Sequence, residues 1–288
     1  MLITSPHNPR ISKLQDLYTR RGRKTSGLFL MEGPHLLEVL LDAGIAPREV
    51  YFQPELLQRT VKGRVLLERL VHSAGLSDDQ LIEVSERVMD VLSDAQTAQG
   101  VVSVLPLDVF SPARIYAKRL PAHRPVLLIL DNLADPGNMG TILRMALAAD
   151  VHAVLLTANC VDYYNPKVLR AAAGAHVALP IEADLTWEAI AEKVASHCAS
   201  NPRALLAEAG SPHVYYEQDL VTPFALIIGN EAQGPSPEAR ALATLTVSIP
   251  LANDVESLNA AMAAGIILYE AVRQRHQIST TNGYSFRG

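Results

Sequence analysis

Asn138, Gly140 and Arg144 form one short polar cluster in the second half of the chain. Gly229, Glu231 and Gly234 form a second, and Ile249, Pro250, Ser257, Leu258 and Asn259 a third. Each sits where an apolar run gives way to turn-forming residues. In an open α/β sheet, ligands bind outside the carboxyl ends of the strands, so three such ends predict one composite site. Asp135-Pro136-Gly137-Asn138 is strong turn chemistry, and Gly140 opens the helix that follows. Arg144 falls one turn into that helix, where it can lean back toward the strand edge and reach an anion or a ribose. Taken alone it reads more readily as a solvated or salt-bridged helix residue. Gly229 lets a ligand approach the backbone closely. Glu231 is either a site carboxylate or the cap of the next helix. Ser257 is a natural N-cap. Asn259 is a poor helix former in a first turn, which suggests a contact outside the helix.

Other chemistries are disfavoured. No Gly-x-Gly-x-x-Gly fingerprint and no phosphate loop ending in Gly-Lys-Ser/Thr is present, so a nicotinamide oxidoreductase is remote. The 2 cysteines, Cys160 and Cys198, are too few for a disulfide framework or a thiolate metal centre. The 9 histidines form no ligand pair, and no metal is expected. No apolar run approaches the roughly 20 residues of a membrane span. The first residues lack the shape of a signal peptide, so a cytoplasmic location is expected.

The elements that must position these clusters read as alternating strands and helices. Val126 to Leu130 is wholly apolar and ends in Asp131-Asn132, as in a buried parallel strand. Strands are predicted at 151–156, 177–181, 204–207, 224–228 and 245–249. Helices are predicted at 139–149, 166–173, 186–199, 237–242 and from 258 to about 274. This alternation predicts a parallel sheet covered on both faces. The helix from 258 carries small residues (Ala261, Ala264, Gly265) suited either to a plain core or to a partner helix. Upstream, a helix is predicted at 34–43 and strands at 49–52, 81–84 and 101–105, which suits a compact first domain. Ser85 is a plausible helix cap. Four prolines between 106 and 125 mark a linker with at most one helical turn. The chain therefore divides into 1–105, a linker 106–124, a second domain 125–275 and a tail 276–288.

Net charge is −5, yet residues 1–31 carry Arg10, Lys13, Arg20, Arg21, Arg23 and Lys24 against Asp16 alone. This patch is either a solvated helix face or a surface that steers a polyanion to one end of the molecule.

In order and spacing, the three clusters resemble the motifs of the SpoU family of RNA ribose 2′-O-methyltransferases, within the SPOUT superfamily. Asn138, Gly140 and Arg144 match Asn-x-Gly-x-x-x-Arg. Gly229, Glu231 and Gly234 match Gly-x-Glu-x-x-Gly. Ile249, Pro250, Ser257, Leu258 and Asn259 match an Ile-Pro pair followed by Ser-Leu-Asn. The region before 105 is similar to the family's substrate-binding domain, through 5–9 and 30–34. One departure is Asn253-Asp254, where relatives commonly carry glycine; these are the non-glycine residues that best tolerate a left-handed backbone. Another is Ala260-Ala261, where relatives often have Val and Ser.

The resemblance implies an α/β fold: a trefoil-knotted, parallel-sheet methyltransferase domain preceded by a small ribosomal-protein-like RNA-binding domain. It implies bent S-adenosylmethionine held around Gly229, Ile249 and Leu258. It further implies a catalytic shell of Arg144, Asn138, Glu231, Ser257 and Asn259, part of it donated across a homodimer formed through the C-terminal domain. A guanidinium does not release its proton near neutral pH, so Arg144 is expected to bind an RNA phosphate that takes the 2′-hydroxyl proton. The basic residues 10–24 are expected to bind the RNA. Ribosomal RNA is the expected substrate, whether the activity is housekeeping or confers resistance. The alternatives are a transfer RNA target and a non-catalytic RNA-binding factor on the same fold.

Overall fold

The computed structural model describes residues 2–72, 75–119, 124–198 and 202–281. Two units divide it: Met1–Ser111 with Asp162–Val177, and Pro112–Val161 with Ala178–Gly288.

In the first unit, short apolar runs make β1 (Leu2–Ile3), β2 (Leu28–Glu32), β3 (Glu49–Phe52), β4 (Leu81–Val84) and β5 (Val101–Pro106). They pair in the order β1-β4-β3-β5-β2, parallel at β1/β4 and β3/β4 and antiparallel at the two pairings of β5. Leu30, Tyr51, Ile82, Val102 and Val104 are buried together under Ile11, Leu14, Val88 and Met89 from the covering helices. The basic stretch folds as two helices. Pro9–Gln15 is capped by the Asn8 side chain, and Arg20–Ser26 is capped by Thr19 and stopped by Gly27 at φ +68°. Ser85 stands at the N-cap of helix Glu86–Leu92, but its hydroxyl donates to Thr4 O instead of capping.

Two segments of this unit depart from the sequence division. Part of the expected linker is a 3-10 turn, Leu107–Phe110, that continues the first unit. Helix Pro166–Ala172 and its flanks belong here too: Tyr164 packs its ring 4.5 Å from that of Phe29. The Tyr164 hydroxyl donates to Leu107 O.

The second unit is built on β6 (Val126–Leu130), β7 (Ala153–Thr157), β8 (Ile181–Leu185), β9 (Ala204–Ala207), β10 (Phe224–Ile228) and β11 (Leu245–Val247). Every neighbouring pair is parallel, in the order β11-β9-β10-β6-β7-β8. β6 and β10 lie in the middle and every residue of both is buried. The chain leaves β6 toward β8 and returns on the other side of β6, which puts a topological switch point between β6 and β10.

Element ends shift where local chemistry decides them. The helix expected from 139 starts at Pro136, because the Asp135 carboxylate accepts the Asn138 N–H and proline suits a first turn. The strand expected at 177–181 lies at Ile181–Leu185. Ala175–Val177 is a 3-10 turn, and Pro180, with no N–H, admits a ladder only beyond itself. β11 ends at Val247, two residues early, and the last helix runs Ala260–Thr281 rather than starting at 258. It packs on helix Pro136–Ala148, where a Cβ on Gly265 would lie 2.6 Å from the Met145 sulfur. Its small residues Ala261 and Ala264 are thus buried within the subunit. Of the expected tail, 282–288 lie outside the described residues. Among the described residues, no helix is long and apolar enough to cross a membrane, and no group of three metal-ligating side chains occurs.

Candidate active site

At the carboxyl ends of β6 and β10 the three clusters meet through side-chain amides. A carboxylate can only accept hydrogen bonds, so Glu231 Oε1 takes the Asn138 Nδ2–H at 2.9 Å. The Asn138 carbonyl oxygen then faces the other way and accepts the Asn259 Nδ2–H at 2.8 Å. The Asn259 oxygen in turn accepts the N–H groups of Ala261 and Met262, at 2.9 and 3.3 Å. One carboxylate therefore sets the polarity of two amides and ends the series at a helix N-terminus. Asn259, not Ser257, caps the last helix, and it also makes the contact outside the helix that its position suggested. Nor does Glu231 cap the helix after it: Ser236 does, accepting the Ala239 N–H, while Glu231 Oε2 accepts the Ala134 N–H.

Beneath this relay lies a pair of ties that the sequence reading did not assign. Asp131, fully buried, accepts the Ser236 N–H at 2.7 Å and the Asn132 amide at 2.9 Å. Asn230 donates to Asn132 O at 2.7 Å and its own oxygen accepts the N–H groups of Ala232 and Gln233. The Asp-Asn ending a wholly apolar strand was the visible signal, because a polar pair buried there must find partners.

Beside the relay is a cavity of about 360 Å³, a size suited to a small-molecule ligand. Gly229, Ile249 and Leu258 all line it, as do Ser257 and Glu231. Gly229 is required for a reason other than ligand approach: a Cβ there would lie 2.7 Å from Pro235 N, so the chain's own backbone fills that space. Asn253 and Asp254 adopt φ of +58° and +55°, the left-handed form expected of them. Cys160 is not a nucleophile. Its thiol points at Leu130 O at 3.2 Å, and burial pushes its pKa up.

Arg144 stands apart. Its side chain is exposed, has no partner among the described residues, and is not in the cavity wall. Of the basic residues, Lys13, Arg20, Arg21 and Lys24 are exposed. Arg10 is partly covered, paired with Glu49 at 2.9 Å and lying over the Tyr51 ring. Arg23 is corrected from RNA ligand to core residue. It is 3% exposed, donates to Asp162 at 2.5 and 3.1 Å and to Leu17 O at 2.8 Å, and is too deeply buried to meet a phosphate.

Comparison with known proteins matches residues 125–269 to the SpoU rRNA Methylase family, and residues 8–103 to an MRM3-like substrate binding domain. An uncharacterized tRNA/rRNA methyltransferase of Synechocystis is 38% identical, over 96% of each chain. A crystal structure of an RNA 2′-O ribose methyltransferase superposes with a TM-score of 0.78 at 31% identity, covering 96% of this chain and 99% of the other. The SpoU methyltransferase AviRb of Streptomyces viridochromogenes, in complex with AdoMet, gives 0.77 at 28% identity, covering 93% and 98%.

Proposed function

Since the chain belongs to the SpoU rRNA methylase family, we propose that it methylates a ribose 2′-oxygen of ribosomal RNA, with S-adenosylmethionine as the donor. The observation that carries this reading is the relay Asn138–Glu231–Asn259 beside a cavity lined by Gly229, Ile249 and Leu258. When bound, S-adenosylmethionine would supply a sulfonium methyl carbon, which the 2′-oxygen attacks in line as the carbon–sulfur bond breaks and S-adenosylhomocysteine leaves. The residues fit it: the apolar wall suits adenine, and the Glu231 carboxylate favours a cation at the catalytic end.

Ser257, exposed at the cavity mouth, orients the ribose. Asn138 and Asn259 hold Glu231 and the helix N-terminus in place around it. Alignment of this kind is worth about 7–11 kcal/mol over free encounter. Arg144 binds the RNA phosphate that receives the proton, and it does so from a second copy of the chain. A homodimer through the last helix supports that role. Met262 and Tyr269 are exposed there at 58% and 49%, on the helix whose Gly265 packs against Met145, the neighbour of Arg144. The trefoil threading of the loops after β10 and β11, and a cytoplasmic location, belong to the same reading. So does RNA binding by Lys13, Arg20, Arg21 and Lys24, with Arg10 at the margin.

The test is transfer of labelled methyl groups to ribosomal and transfer RNA, followed by mapping of 2′-O-methyl positions. A single ribosomal site is the expected result. Label on transfer RNA alone would redirect the substrate, and no label on either would overturn the activity.

A further inference from the structure

Glu208 follows β9 directly, at the carboxyl edge of the sheet next to β10, and lines the same cavity as Gly229 and Glu231. Its backbone N–H is held by Val247 O at 2.9 Å, which fixes where the side chain starts. One carboxylate oxygen, Oε1, accepts from Arg240, which also lines the cavity. The other oxygen has no partner among the described residues.

The remaining polar groups of the wall are largely committed. Both oxygens of Glu231 are engaged by Asn138 and Ala134, and the Asn230 amide is spent on Asn132 O and on the N–H groups of its own loop. A carboxylate at a strand end with a vacant acceptor oxygen is suited to a vicinal diol, whose hydroxyls donate without needing charge neutralisation. We propose that Glu208 accepts the ribose hydroxyls of the bound methyl donor and that Arg240 is the positioning residue that holds the carboxylate. The inference rests on the methyl-transfer reading and deepens it. The amino-acid arm of the donor is the less suitable occupant, because its ammonium would have to compete with the Arg240 guanidinium already on Glu208.

Titration calorimetry on the full chain tests this with S-adenosylhomocysteine, its 2′-deoxyribose counterpart and 5′-methylthioadenosine, which lacks the amino-acid arm. The wild-type protein should prefer S-adenosylhomocysteine to the deoxy compound by about tenfold or more, the worth of one hydrogen bond to a charged group. Glu208→Ala should abolish that preference and weaken 5′-methylthioadenosine equally. The deoxy compound should lose only the contact of its 3′-hydroxyl, and measurable binding of it also shows that the variant is folded. Arg240→Gln should lose a smaller part of the preference. Retention of the full preference in Glu208→Ala would overturn the inference. So would weakening of S-adenosylhomocysteine with 5′-methylthioadenosine untouched, which would place the amino-acid arm at Glu208. Failure of the wild type to bind S-adenosylhomocysteine would instead overturn the methyl-transfer reading, and this inference with it.

Discussion

Asn259 carries two duties whose magnitudes separate them. Its contacts are open to solvent, so each hydrogen bond stabilises the fold by about 0.5–1.5 kcal/mol, and its cap by about 1 kcal/mol. Asn259→Ala should therefore lower stability by only about 1–2 kcal/mol in urea unfolding. Methyl transfer should fall by two orders of magnitude or more, because the relay from Glu231 through Asn138 loses its link to the helix N-terminus. Equal small losses in both would reduce Asn259 to a helix cap. Arg144 gives the opposite contrast. Its exposed side chain has no hydrogen-bond or ion-pair partner among the described residues, so Arg144→Ala should leave stability and S-adenosylmethionine affinity nearly unchanged while methylation disappears. Near-normal turnover would remove Arg144 from the reaction. Mixing this variant with one inactive at Asn259 should restore part of the activity if the guanidinium acts across two copies.

At the scale of elements, legibility followed how local the deciding interaction was. β3, β4, β6, β9 and β10 coincide with their expected ranges because short β-rich or apolar runs ended by turn residues carry their own signal. β8 was displaced: its residues alternate weakly, and Asp184 at φ +57° sits where the register with β7 shifts. Helix starts moved by three and two residues at Asp135 and Asn259, where a side chain rather than the apolar pattern set the cap. The placement of 162–177 was illegible, since its partners lie 57 to 139 residues away. The three clusters were legible as motifs, yet the hydrogen bonds joining them were not, because they span 93 and 121 residues.

That long-range packing makes its own predictions. Arg23 and Asp162 are largely buried, so Arg23→Ala leaves a carboxylate without its partner and should cost about 3–5 kcal/mol. The salt dependence of RNA binding should stay as it was, because the side chain never faces solvent. A changed salt slope would return Arg23 to the RNA surface. In the same unit His176 is fully enclosed, and burial pushes its pKa down to about 4. The unfolded chain binds this proton near pH 6.5, before the folded one does. Stability is then complete above about pH 6.5 and declines as pH falls toward 4, by about 3 kcal/mol across that window. His176→Leu should flatten the decline in acid unfolding measured by circular dichroism, and an unaltered pH profile would contradict this.

For the whole molecule the question is how an acidic chain takes hold of a polyanion. A net charge of −5 repels RNA at long range, so binding must rely on a local concentration of cations within about a Debye length of the phosphates. The two short helices of the first unit provide one, with Lys13 and Arg21 exposed on them. Deleting residues 1–105 would be a poor test, because it strips Asp162 of Arg23 and Tyr164 of Phe29, and the remaining fold would suffer for reasons unrelated to RNA. Charge reversal at exposed positions avoids this. The double variant Lys13→Glu, Arg21→Glu should melt like the wild type and bind S-adenosylmethionine equally well. Its affinity for RNA should drop at least tenfold at low salt. The slope of log affinity against log salt should shrink by about 1.4–1.8, since each phosphate contact contributes about 0.7–0.9. An unchanged slope in filter binding would mean that the RNA is gripped elsewhere, and that the basic segment is only a solvated face.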